Sequence, residues 1–328
     1  MPKRIVITCG DVNGIGLRCL GKALHDSVLD TELWLAITPS VLQEAIEVYN
    51  LGGVIAGTTW TCGGREVRLH TLDAECTITP GTPSDAASLL AIASLDAAIT
   101  ATVRGTYDAV VTLPISKHAL VKVGWPYAGQ TEMLGEYASG NPLMVLCTHD
   151  VRVALATVHV PLRTVADLIT PDLITTRVKQ LTQHLRNRHG IEHPSIAVLA
   201  VNPHAGDNGV IGDEDLRIVE PTIKHLRQDG FNVDGPHPAD GFFAFGSYTR
   251  YDGILAMYHD QGLIPLKLLA QGAGVNVTAG LSIVRTSPDH GTAYDRALAS
   301  DIDAASTRMA IEMAEGLGTD YGLRITDY

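Results

Sequence analysis

Ala197-Val198-Leu199-Ala200-Val201-Asn202-Pro203-His204-Ala205-Gly206 reads as a short buried strand that breaks at a turn carrying a histidine. Two further segments repeat the arrangement. Val153-Ala154-Leu155-Ala156-Thr157-Val158 runs into His159 and Val160-Pro161, and Ile254-Leu255-Ala256-Met257-Tyr258 runs into His259 and Asp260-Gln261-Gly262. Strands apolar on both faces belong to parallel sheets covered on both sides, and ligands in such sheets gather beyond the carboxyl ends of the strands. Three imidazoles at three strand ends are therefore placed to converge.

The same pattern extends outward along the chain. Short apolar runs at 4–8, 33–37, 109–113 and 143–147 alternate with helix-like stretches at 85–102, 171–189, 213–229 and 292–317. Thr170 is placed as an N-cap before Pro171, and Gly190 and Gly230 stand where left-handed residues close helices. The fold class is α/β with mainly parallel sheets, and 328 residues suit two lobes better than one core. The turn-rich stretch 124–131 and a return near 280–285 divide the chain into a first lobe of residues 1–128 plus 286–328 and a second lobe of residues 129–285.

Composition narrows the function. A net charge of −12 argues against a nucleic-acid or membrane surface as partner. No stretch comes near the ~20 apolar residues of a membrane span, and the run after Met1-Pro2-Lys3-Arg4 is too short for a signal peptide. Five scattered cysteines, Cys9, Cys19, Cys62, Cys76 and Cys147, suit reduced thiols in a cytoplasmic protein. A single strand-end histidine is most simply a solvated residue, but three in one context point to an open divalent metal site. Zinc is the first choice from nitrogen ligands, with magnesium, cobalt or manganese as alternatives.

Asn202-Pro203-His204-Ala205-Gly206, Met257-Tyr258-His259-Asp260-Gln261-Gly262, Arg285-Thr286-Ser287 and Asp289-His290-Gly291-Thr292-Ala293 resemble the 4-hydroxythreonine-4-phosphate dehydrogenase family, as does Gly10-Asp11-Val12-Asn13-Gly14-Ile15-Gly16. The resemblance runs through essentially the whole chain in order. It implies two α/β/α lobes like those of isocitrate and isopropylmalate dehydrogenases, with the active site in a cleft between them. It also implies a homodimer with the site at the subunit interface and metal ligation by His159, His204 and His259. Gln130, Thr131, Lys267, Asn276 and Arg285 fall on substrate-binding positions, and Lys117 and Asp240 on further candidate catalytic positions. Gly291, Thr292 and Asp295 fall on the nucleotide loop, where a carboxylate facing a free ribose favours NAD and leaves NADP as the alternative.

The implied reaction oxidises 4-phosphohydroxy-L-threonine, and the β-keto acid then decarboxylates to 3-amino-2-oxopropyl phosphate. Lys267 and Arg285 are the cations that a phosphate and a carboxylate call for. The family usually has His-Thr-Glu where this chain has Gln130-Thr131-Glu132. That difference keeps paralogous substrates in view, D-threonate or D-erythronate 4-phosphate first and a dihydrodiol dicarboxylate after them. A metal-binding or nucleotide-sensing protein without turnover is the alternative of another class.

Overall fold

The computed structural model describes residues 2–25, 31–127 and 129–317. Its strands are β1 (Lys3–Thr8), β2 (Thr31–Ile37), β3 (Val54–Ala56), β4 (Thr59–Cys62), β5 (Arg65–Thr71), β6 (Ala109–Val111), β7 (Leu143–Cys147), β8 (Arg152–Leu155), β9 (Ile196–Leu199), β10 (Val233–His237), β11 (Gly253–Ala256), β12 (Val275–Ala279) and β13 (Val284–Pro288). Two compact units emerge. One joins Met1–Pro142 to Leu281–Leu317, and the other contains Leu143–Gly280.

In the first unit the strand order is β13-β6-β1-β2-β5-β4-β3. β13, β6, β1, β2 and β5 run parallel, and the β3–β4–β5 edge is antiparallel. The helix Asp85–Val103 covers β1 and β2, capped by the Ser84 hydroxyl on the Ala87 amide. Contrary to expectation, this helix has the length and apolar content of a membrane span. Its Leu95, Ala98 and Ile99 instead pack with Val6, Val110, Leu120 and Leu134 in the unit's core.

The second unit has the order β10-β9-β11-β8-β7-β12. β10, β9, β11 and β8 are parallel, while β7 pairs antiparallel with both β8 and β12. Leu146, Val153, Leu155, Ala197, Leu199, Ile254 and Leu266 form its core. The α/β class with mainly parallel strands is as the sequence predicts. So is the helix Pro171–His189, whose Thr170 side chain accepts from the Leu173 amide and whose Gly190 closes it at φ 67°.

Two helices differ from expectation. The stretch 213–229 divides into a π-helical turn, Asp215–Val219, and the α-helix Glu220–Gln228. The stretch 292–317 becomes α-helical only at Ala305–Gly316, after a single 3₁₀ turn at Tyr294–Arg296. Tertiary contacts hold its front end open: the Thr292 carbonyl accepts from the Ile15 amide, and Ala293 is left-handed at φ 43°.

Candidate active-site residues

β8, β11 and β9 are neighbours with a common direction, so their carboxyl ends share one edge of the second unit's sheet. His159 lies in the loop after β8, and His259 opens the helix His259–Ala270 with Tyr258 as its N-cap. Their rings lie 5.6 Å apart, tilted by 43°. Both line a hollow of about 400 Å³, together with Val158, Val160, Leu162, Val165, Tyr258 and Asp260. His259 Nδ1 stands 2.7 Å from the Asp260 carboxylate. A proton shared there leaves the lone pair on Nε2, the tautomer a metal or substrate proton requires.

His204 reaches its position by a different route. Residues His204 to Asn208 all have left-handed backbone, with φ between 45° and 79°. Only Gly206 among them is glycine, and such a run costs about 1–2 kcal/mol per non-glycine residue. It persists because buried Asp215 grips the chain ahead of it. The Asp215 carboxylate accepts from the Val201 amide (2.8 Å), the Asn202 amide (3.0 Å) and Asn202 Nδ2 (3.1 Å). Gly206 is required by close approach as well as by φ, since a Cβ there would meet the Gly212 carbonyl at 2.4 Å. His204 itself is exposed. Among the described residues no three His, Cys, Asp or Glu side chains stand together as a metal cluster. The structure joins His159 to His259 but not to His204.

In the first unit, Arg285 on β13 is 4% exposed. Its Nε and Nη2 donate to the Thr112 hydroxyl at 3.0 and 2.7 Å, and Nη2 also donates to the Gln130 amide oxygen. The Thr112 hydroxyl donates to that same oxygen at 2.7 Å, while Gln130 Nε2 donates to the Leu113 carbonyl. Burial lowers the guanidinium to a pKa of about 10. Gln130 and Thr131 form the first turn of the helix Gln130–Tyr137. Lys117 opens the helix Lys117–Lys122, and its ammonium lies against Gly129 beside the Glu132 carboxylate. Lys117, Gln130, Thr131 and Arg285 are thus local neighbours.

Three other expected residues lie in the second unit. Lys267 is exposed on the helix His259–Ala270. Asn276, on β12 opposite Leu146, keeps a buried Oδ1 with no hydrogen-bond partner. Asp240 is exposed in the first turn of the helix Ala239–Ala244, just beyond β10.

The expected nucleotide loop follows β13. Gly291 is exposed, Thr292 is buried, and Asp295 is exposed in the 3₁₀ turn Tyr294–Arg296. The Gly10–Gly16 turn seats this loop. Gly14 lies so close that a Cβ would meet the Thr292 carbonyl at 2.5 Å, and Tyr294 donates to the Asp11 carboxylate at 2.5 Å. Burial raises the Asp11 pKa. Asp11 and Thr112 in the first unit, and Thr157, Asp215 and Gln261 in the second, brace candidate residues of their own unit without having been singled out individually as functional. Asp11 and Gln261 lie inside quoted motifs, whereas nothing near Asp215 in sequence marks its role.

Comparison with known proteins gives this geometry a family. The chain matches the family described as "Pyridoxal phosphate biosynthetic protein PdxA" over residues 31–314. It is 40% identical over 319 residues to a 4-hydroxythreonine-4-phosphate dehydrogenase of Bacteroides thetaiotaomicron, covering 95% of this chain and 87% of that protein. It is 36% identical to a protein of the same name from a Sulfurihydrogenibium species, with 95% and 97% covered. The crystal structure of 4-hydroxythreonine-4-phosphate dehydrogenase from Klebsiella pneumoniae superposes with a TM-score of 0.85 at 34% identity, covering 96% of this chain and 98% of that one.

The chain is therefore a dehydrogenase, an oxidoreductase of α/β fold. It belongs to the 4-hydroxythreonine-4-phosphate dehydrogenase family, as the sequence resemblance implies, and the relatives do not favour the paralogous acids.

Proposed function

We propose that the chain oxidises the C3 hydroxyl of 4-phosphohydroxy-L-threonine with NAD and releases 3-amino-2-oxopropyl phosphate after loss of CO2 from the β-keto acid. The observation that carries this is the His159–His259 imidazole pair on a hollow of about 400 Å³, a volume suited to a small metabolite. Imidazole nitrogens suit a divalent ion by their chemistry, and in the family resemblance His159, His204 and His259 would serve as its ligands, with Asp260 orienting His259. Such an ion supplies Lewis acidity toward a hydroxyl and a developing enolate, and NAD supplies the hydride acceptor.

The protein's own groups perform the remaining tasks. Arg285, Lys267, Thr131 and Asn276 would bind the substrate's anionic and polar groups, and the orphaned Asn276 Oδ1 is suited to accept a ligand hydrogen bond. Lys117 Nζ and the Asp240 carboxylate are the groups in this reading that carry protons to and from substrate. Gly291 and Thr292 would meet the nucleotide, with Asp295 accepting from the ribose hydroxyls. The family resemblance adds a cytoplasmic homodimer that completes the metal site across subunits.

The test is NADH formation by purified protein with 4-phosphohydroxy-L-threonine and with D-threonate 4-phosphate, before and after chelation. NADH from the first substrate, lost on chelation and restored by zinc or cobalt, is expected. Metal-replete protein that reduces NAD with neither substrate overturns the proposal. Sedimentation velocity tests the dimer separately.

A further inference from the structure

The turn after the first strand of a parallel sheet often cradles a phosphate with unpaired amides. In the Gly10–Gly16 turn those amides are engaged within the chain. Asp11 donates to the Pro114 carbonyl at 2.9 Å, Gly14 to the Asp11 carbonyl at 3.1 Å and Ile15 to the Thr292 carbonyl at 2.9 Å. The Asn13 amide donates to the Asp11 carboxylate at 3.0 Å. The Asn13 side chain is engaged too, accepting from the Thr79 amide and donating to the Thr82 carbonyl, both at 2.8 Å. The turn is a braced platform rather than a phosphate cradle.

What the platform holds is the loop that carries Asp295. Ile15 takes the Thr292 carbonyl, and Arg18 Nη1 donates to the Ala297 carbonyl at 2.8 Å. Between those two ties the Tyr294 hydroxyl donates to the Asp11 carboxylate, and the Ser116 and Thr292 side chains hydrogen-bond to the same hydroxyl. Burial raises the Asp11 pKa while the Tyr294 and Asn13 donors oppose the rise, so the hydroxyl and the carboxylate stabilise each other. Residues 11–18 thus grip the chain on both sides of Asp295. The loop fits a ribose as well: Asp295 is exposed, and nothing within 4 Å occupies the space where a Cβ on Gly291 would stand.

We propose that the Gly10–Gly16 turn sets the nucleotide loop, with Tyr294 as the positioning residue that aims Asp295 at the adenosine ribose. The inference rests on the reading of Asp295 as the acceptor of the ribose hydroxyls. Tyr294→Phe removes one oxygen and keeps the ring. Arg18→Met keeps much of the side-chain length and releases the Ala297 carbonyl on the other side of Asp295.

The experiment titrates full-length protein calorimetrically with NAD and with NAD lacking the adenosine 2′-hydroxyl, alongside thermal unfolding of each variant. The parent should prefer NAD by about tenfold, the worth of one hydrogen bond to a carboxylate. In Tyr294→Phe that preference should fall toward equality, with affinity for the deoxy compound unchanged. Lost stability alone would weaken both ligands together and leave their ratio as it was, so the ratio isolates positioning. Arg18→Met should lower the ratio in the same way and provides the readout should Tyr294→Phe fail to fold. A ratio unchanged in Tyr294→Phe, or in Arg18→Met where the first variant does not fold, overturns the positioning role and leaves the ribose reading intact. A parent protein that binds neither compound, or both equally, overturns the reading of Asp295 itself, and this inference with it.

Discussion

The Arg285 guanidinium donates to the amide oxygen of Gln130, so a buried cation is held by a neutral group at the position where family members usually carry histidine. Thr112, which accepts from the same guanidinium, is neutral as well. Neither of these two contacts neutralises the charge of the guanidinium. Gln130→Glu would place a carboxylate against it and form a buried ion pair. KM for the phosphorylated substrate should then rise about tenfold, ~1.4 kcal/mol of lost binding, while Tm rises. The two shifts have opposite functional sign, so a variant with unchanged KM, or one that melts earlier, contradicts the assignment.

The second unit contains an acid-sensitive pair. His184 and His189, both 6% exposed on the helix Pro171–His189, meet edge to face at 5.2 Å, and neither Nε2 has a hydrogen-bond partner. Burial lowers His184 to about 3, with Arg188 and Arg152 adding to the effect, and lowers His189 to about 2, with Arg152 and His184 adding. A depressed histidine makes the unfolded chain the better proton acceptor below its ordinary pKa of about 6.5. Stability should be full above that pH and fall as the medium acidifies, by about 1.4 kcal/mol per pH unit for each histidine involved. Urea midpoints measured from pH 7 downward check this, and His189→Phe should flatten the slope. An unaltered slope in that variant would rule the pair out as the cause.

Asp215 should matter to both stability and metal affinity. Asp215→Asn replaces one accepting oxygen with a donor facing the Val201 and Asn202 amides. The expected loss is ~1–3 kcal/mol in denaturant unfolding, accompanied by weaker cobalt binding as the left-handed turn at His204 relaxes. A loss of stability with cobalt affinity intact would show that the turn does not depend on this carboxylate.

Legibility followed the range of the interactions. The helix Pro171–His189 could be read because Thr170, Pro171 and Gly190 act within one turn of its ends. The strand ends of β8, β9 and β11 could be read from apolar runs that stop at histidines. The open stretch before Ala305 could not, because the Thr292 carbonyl is taken by Ile15, far away in sequence. Nor could the backbone of His204 be read. Pro203 and Gly206 announce a turn, but its left hand is set by Asp215 and by the room that Gly212 leaves. Arg285 was legible as a cation that an anionic substrate calls for, whereas its partners Thr112 and Gln130 arrive from separate segments.

The division of the chain also carries a timetable. Among the described residues every strand of the second unit lies between Leu143 and Gly280, whereas the first unit's β6 receives its parallel neighbour β13 only from residues beyond Gly280. During synthesis, which proceeds from the amino end, the inner segment has all its strands before the outer one can close. Ribosome-bound chains halted once Gly280 has left the exit tunnel should show protected amides in β8, β9 and β11 while β6 still exchanges freely. Equal protection of β6 at that stage would mean that the first unit closes without its last strand.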